Sequence, residues 1–188
     1  MKILVCISHV PDTTSKINFT DNNKSFDSSG IQYIINPNDE FGLTKAVWMK
    51  ETHKAEVVVA SVGEVSCEST LRKCLAIGAD RAIRVNMNPL DGFSVAKQLV
   101  EICEKEKFSL IIAGRESIDY NGGMVPGIIA ELMNYNYVAN CISLEIDQNK
   151  ATAAREIDGG KEIVSSDLPL VIGSQKGLVE EKDLIIPN

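Results

Sequence analysis

The stretch Gly114-Arg-Glu-Ser-Ile-Asp-Tyr-Asn-Gly-Gly-Met-Val-Pro-Gly127 brings together groups that suit an anion. Gly122, Gly123 and Gly127 let the backbone approach a ligand closely or take positive φ, and a helix starting behind them offers unpaired N–H groups at the positive end of its dipole. Asn121 adds a side-chain amide and Arg115 a guanidinium. The same residues also suit an ordinary strand-to-helix turn in which Asp119 or Asn121 caps the helix and the glycines only shape the turn. Both readings stand. The stretch holds no Gly-Lys-Ser/Thr, no Ser-Gly-Gly-x-Asp-Ser and no GxGxxG, and the first apolar run ends in Ser8-His9-Val-Pro11 without a glycine.

Two further loops have chemical potential. In Ile35-Asn-Pro-Asn-Asp-Glu40 the Asn-Pro pair imposes an extended turn, so Asn38 or Asp39 suits a helix cap, while Asn36 has an amide suited to a base or ribose. Ser61-Val-Gly-Glu64 closes a strand with a glycine that permits close approach. Constellations for covalent catalysis are not evident. His9 has no partnered Ser or Cys nucleophile and reads as a hydrogen-bonded structural group. Glu180-Glu-Lys-Asp183 reads as a solvated charge run, and the five cysteines form no CxxC, with Cys6 and Cys74 placed as core fillers. Binding, not bond-making, is the chemistry these residues suit.

The elements that must position these loops follow from periodicity. Apolar, β-branched runs at 3–7, 57–62, 81–85, 110–113 and, more weakly, 138–146 alternate with helical stripes, the pattern of a parallel α/β sheet covered on both faces. The stripes are Leu71, Cys74 and Leu75; Val95, Leu99, Ile102 and Cys103; and Val125, Ile128, Ile129, Leu132 and Met133. An earlier helix over 39–51 carries Phe41, Leu43, Val47 and Trp48 inward. Residues 16–35 read as an early hairpin insertion, and 141–173 as consecutive strands forming an antiparallel edge, with Leu168 to Ile172 closing the set. In such a sheet ligands bind beyond the carboxyl ends of the strands, where all three loops fall.

Composition narrows the classes. A net charge of −7 with 19 scattered basic residues argues against nucleic acid, and no apolar run reaches the roughly 18 to 20 residues of a membrane span. With no cleavable leader evident, a cytoplasmic protein is expected.

Taken together, the motifs resemble the β subunit of electron transfer flavoprotein, including its nitrogen-fixation branch. The matching residues are Met1-Lys-Ile-Leu-Val-Cys-Ile7, Asn36-Pro37 with Glu40, Leu75-Ala-Ile-Gly-Ala-Asp-Arg81, Gly114-Arg-Glu-Ser-Ile-Asp119 with its Asn-Gly-Gly loop, Ala154-Arg-Glu-Ile-Asp-Gly-Gly160 and Leu168-Pro169. The resemblance implies an open, Rossmann-like parallel sheet of the adenine-nucleotide α-hydrolase-like type. It implies a heterodimer with an α subunit that carries FAD, with AMP or a second FAD in the β subunit, acting as an electron carrier and not an enzyme. By position, the adenine side falls to Cys6, Asn36, Pro37, Asn38, Asp39 and Val62. The phosphate side falls to Asp119, Asn121, Gly122, Gly123, Met124 and Val125. Where many members have Gln-Thr-Gly-Gln, this chain has Gly123-Met-Val-Pro126, which shifts the work to backbone N–H groups.

The same resemblance places Arg155 and Glu156 near the partner's flavin domain; by themselves they read as a surface ion pair. It divides the chain into a nucleotide-binding domain, 1–173, and a partner-recognition segment, 174–188, in which Ile186 anchors a flavin-containing dehydrogenase and Leu184 lies nearby. Burying such an aliphatic group yields roughly 1.5 to 3 kcal/mol before ordering costs. Members usually continue for several dozen residues into an arm that embraces the α subunit, so the chain reads as curtailed and is expected to hold that subunit poorly. The alternative is a free-standing adenine-nucleotide sensor resembling universal stress proteins, in which the strands at 141–173 have no role.

Overall fold

The computed structural model describes residues 1–187, and Asn188, the last residue of the expected recognition segment, lies outside the described residues. In chain order the elements are β1 (Lys2–Cys6), β2 (His9–Pro11), β3 (Phe19–Thr20), β4 (Ser25–Phe26), β5 (Tyr33–Ile35), α1 (Pro37–His53), β6 (Glu56–Gly63) and α2 (Glu68–Ile77). They continue with β7 (Arg81–Asn86), α3 (Gly92–Lys105), β8 (Leu110–Gly114), α4 (Val125–Met133), β9 (Asn136–Asp147), β10 (Lys150–Ile157), β11 (Gly160–Asp167) and β12 (Leu170–Ser174).

Among the described residues, eight strands form one sheet in the order β11-β10-β9-β12-β8-β1-β6-β7. From β9 to β7 every neighbouring pair is parallel, and β9-β10-β11 is an antiparallel meander on the outer side. The β-branched runs of β1, β6 and β8 are buried on both faces, as two helical layers require. The odd residues Ile3 and Val5 of β1 pack with α1 and α2, whereas Leu4 and Cys6 pack with α3 and α4. The fold is therefore the expected α/β, Rossmann-like sheet.

One strand differs from expectation. The run 168–172 was expected to close the antiparallel edge, but β12 lies inside the sheet, parallel to both β8 and β9. The reason is burial: Leu170, Val171 and Ile172 have no polar alternation, so both of their faces need cover that an edge does not supply. Some helical stripes are also narrower than read. Trp48, Leu75 and Leu132 sit on flanks and are partly exposed, while Phe41, Leu71 and Ile129 face the core.

The early insertion is two ribbons. The antiparallel pair β2–β5 returns the chain to the top of β1, and beyond it β3–β4 turns through Asp21, Asn22 and Asn23 at φ 51, 53 and 67. Asp and Asn tolerate that left-handed region better than other residues with a Cβ.

Candidate functional site

β1 passes through α1 to β6 on one side, while β8 lies on its other side, so the chain reverses direction in the sheet between β1 and β8. Their carboxyl ends diverge there, and a crevice opens at the switch point.

The first turn of α1 builds its floor. Pro37 suits the first helical position, and Asn36 precedes it in the cap position without making a side-chain cap bond. Its side chain reaches across to the loop after β8 instead: Nδ2 donates to the Glu116 carbonyl at 2.9 Å, and Oδ1 accepts from the Ile118 N–H at 3.2 Å. Asn38 Nδ2 donates to the same Glu116 carbonyl at 3.1 Å. Asp39, 2% exposed, accepts from Ser8 N–H at 2.7 Å and from Gly114 N–H at 2.8 Å, tying the ends of β1 and β8 together. Burial pushes its carboxyl up to about 7, outweighing the hydrogen bonds that favour the charge. A Cβ at position 114 would collide with Asp39 Oδ1, so glycine is required there by close approach. The helix-cap reading of Asn38 and Asp39 is thus corrected: these side chains clamp two loops.

The loop after β8 then folds back on itself, Ser117 N–H donating to the Gly122 carbonyl at 3.2 Å. The left-handed residue is Asn121, at φ 50, and not a glycine. A Cβ on Gly122 would meet nothing, which leaves an open approach beside it. Asp119 bonds the N–H of its neighbour Tyr120 at 2.9 Å and does not cap α4. α4 therefore begins, after Met124, with no side-chain cap. The neighbouring entrance of α3 is closed by a capping box, Asp91 accepting from Ser94 N–H at 2.7 Å. Arg115, read as a possible anion ligand, turns to Glu116 at 2.9 Å and Gln175 at 3.3 Å.

Between these loops lies a cleft of about 570 Å³. Of the twelve residues expected to hold a nucleotide, Cys6, Asp39, Val62, Asp119, Gly122, Met124 and Val125 line it, while Asn36, Pro37, Asn38, Asn121 and Gly123 are not part of its lining. Sequence reasoning missed the wall formed by residues 88–92, which closes against the α4 entrance: a Cβ on Gly92 would lie 3.1 Å from Met124 Cγ. The signal was available, because that loop follows a parallel strand just as the others do. His9 also lines the cleft. Its ring stacks on Tyr33 at 4.2 Å, its Nδ1 shares a 2.7 Å hydrogen bond with Thr70, and its Nε2 is buried without a partner among the described residues.

The arrangement fits a nucleotide. The volume lies in the range of small-molecule sites, the walls near Cys6 and Val62 are apolar, and an uncapped helix entrance and a ring nitrogen without a partner among the described residues supply the polar groups. Among the described residues no group of His, Cys, Asp and Glu could hold a metal, and no helix is long and apolar enough to cross a membrane.

The expected partner-facing residues lie elsewhere. Arg155 on β10 pairs loosely with Glu162 of β11 at 3.6 Å, and Glu156 accepts from Gln175 Nε2 at 2.5 Å. Leu184 is half-buried against the core, whereas Ile186 is 83% exposed.

A profile of the Electron transfer flavoprotein domain matches residues 24–185, which includes the Asn36–Asp39 clamp and every loop of the cleft except the end of β1 and the start of β2. Electron transfer flavoprotein subunit beta of Bacillus subtilis (strain 168) is 31% identical over 192 residues, covering 100% of this chain and 74% of that protein. The Dictyostelium discoideum protein of the same name is 33% identical, covering 100% of this chain and 76% of its own length. That of Syntrophomonas wolfei is 36% identical, covering 93% and 69%. Profile and relatives agree with the motifs read along the chain, and the protein belongs to the electron transfer flavoprotein family, among the sequences named subunit beta.

Proposed function

We propose that this chain is the β subunit of a two-subunit electron carrier and that its cleft binds an adenine nucleotide, AMP or the adenylate part of a second FAD. The observation that carries the reading is the α4 entrance: a helix start without a side-chain cap, opening on the switch-point cleft beside a glycine with free space around it. Backbone N–H groups there suit a phosphate, and the walls near Cys6 and Val62 suit a base. The Asn36–Asp39 clamp does its work indirectly, holding the loop from Gly114 to Ile118 so that the entrance faces the cleft.

FAD shared with an α subunit would supply one- and two-electron exchange when bound. The chain's own residues bind, orient and dock. Residues 174–188 form the recognition segment, with Ile186 as the exposed anchor for a flavin-containing dehydrogenase. The half-buried Leu184 contributes by fixing the segment to the body. Arg155 and Glu156 face the α subunit's flavin domain. We place the carrier in the cytoplasm; the Arabidopsis thaliana relative is named as mitochondrial.

Co-expression with a larger neighbouring reading frame of α type tests the proposal. A yellow complex with one copy of each chain, releasing AMP or FAD on denaturation, is expected. Colourless chains that elute apart would overturn it in favour of a free-standing nucleotide sensor.

A further inference from the structure

His9 is more than a packed histidine. It extends from the end of β1 into the short ribbon with β5, where Tyr33 fixes the plane of its ring and Thr70 of α2 fixes its Nδ1. Thr70 Oγ1 has no other hydrogen-bond partner among the described residues, so its proton is satisfied by donating to Nδ1, and in that arrangement the imidazole's own proton sits on Nε2. Burial, aided by Lys73, lowers the pKa of the ring and keeps it neutral. A ring that lines the cleft thus has an N–H donor buried without a partner among the described residues. Leaving a buried donor unpaired is costly, and such an atom is normally satisfied in the functional state.

We propose that His9 is a ligand contact of the cleft, its Nε2–H donating to a neutral acceptor of the nucleoside portion, either a ring nitrogen of the base or a ribose oxygen. The nucleoside is chosen over the phosphate because of the layers. His9 is held by α2, on one side of the sheet, whereas the phosphate-suited entrance belongs to α4, on the other. A ligand spanning the crevice meets the two at different ends. This rests on the nucleotide reading given above.

The chain has two histidines, His9 and His53, which makes the test direct. Uniformly 15N-labelled full-length chain, in which backbone amides and imidazole nitrogens are both observed, is titrated with AMP, adenosine and inorganic phosphate. The His9 Nε2 resonance is expected to shift with AMP and with adenosine and to stay in place with phosphate alone, while His53 is unmoved. His9→Phe, which keeps a ring against Tyr33, is expected to weaken AMP about tenfold, as loss of one hydrogen bond does. If the amides of Val62 and Gly122 respond to AMP while His9 does not, the inference fails and the nucleotide reading stands. If His9 responds to phosphate alone, the assignment to the nucleoside is overturned. If no residue responds to any of the three, the nucleotide reading falls and takes this one with it.

Discussion

At the amino end of the parallel sheet, Lys2 and Arg81 meet Glu56 and Glu106: Lys2 lies 3.4 and 3.2 Å from the two carboxylates, and Arg81 lies 3.3 and 2.5 Å from them. Two cations and two anions from β1, β6, β7 and the end of α3 satisfy one another at the surface. At the carboxyl end the polar groups are arranged otherwise. Asp39 is buried without a cation, α4 starts uncapped, and His9 Nε2 has no partner among the described residues. One end satisfies its own charges, whereas the other leaves polar groups without partners among the described residues. The two ends also have opposite titrations, since Arg81 and then Lys2 pull the Glu106 carboxyl down to about 2 while burial lifts that of Asp39 to about 7.

The strongest way to break this contrast is through pH. The Asp39 carboxyl rises from 3.8 in the unfolded chain to about 7 in the folded one, so between those values the folded chain keeps a proton that the unfolded chain has released. The stability it contributes is fully present below pH 4 and is lost as pH climbs to 7, a decline of about 4 kcal/mol at roughly 1.4 kcal/mol per pH unit. Urea denaturation between pH 4 and 7 should show this fall, and Asp39→Asn should flatten it. An equal slope in both proteins would remove Asp39 from the account.

A smaller effect is expected from crowding the clamp. Gly114→Ala drives a methyl group into Asp39 Oδ1 and should cost about 2 kcal/mol in chemical denaturation, within the range for overpacked sites. A neutral result would mean that the clamp yields. Gly122→Ala, where a Cβ meets nothing, sharpens the comparison from the other side: stability should change by less than about 0.5 kcal/mol, while AMP affinity measured by calorimetry falls about tenfold. Unchanged affinity would move the ligand away from this loop.

The least effect belongs to the amino end. Glu106 titrates below its ordinary value, so its contribution is present above pH 4.5 and is lost as pH falls toward 2. Solvent screening limits it to about 1 kcal/mol or less. Glu106→Gln should therefore lower stability slightly, less so at high salt, and leave AMP affinity unchanged. A measurable change in affinity would show that the two ends are not independent.

Much of this fold was legible because burial imprints itself on composition. β1, β6 and β8 are continuous apolar runs, and their carboxyl ends pointed to the rim of the sheet where the cleft lies. What was illegible depended on neighbours distant in sequence. Asp39 looked like a cap because its true partners lie 31 and 75 residues away, at the ends of strands whose adjacency only the sheet order establishes. His9 looked structural because its unpartnered Nε2 has meaning only once Thr70 has taken the other ring nitrogen. β12 was misplaced for a different reason. The unbroken apolar run Leu170-Val-Ile already argued for two-sided cover, but its position after three strands of a meander invited a fourth edge strand.

The place of β12 also sets a schedule. A ribosome releases the strand that joins β8 to β9 after every other strand of the sheet, so until residues 170–174 emerge the nascent protein is two unjoined pieces with raw edges facing each other. Closure of the sheet is thereby deferred until its last strand in sequence has been made, the slow, non-local kind of closure. A chain stopped at Asp167 is expected to show no cooperative melting and to recruit holdase chaperones; a sharp transition would show that the gap can wait.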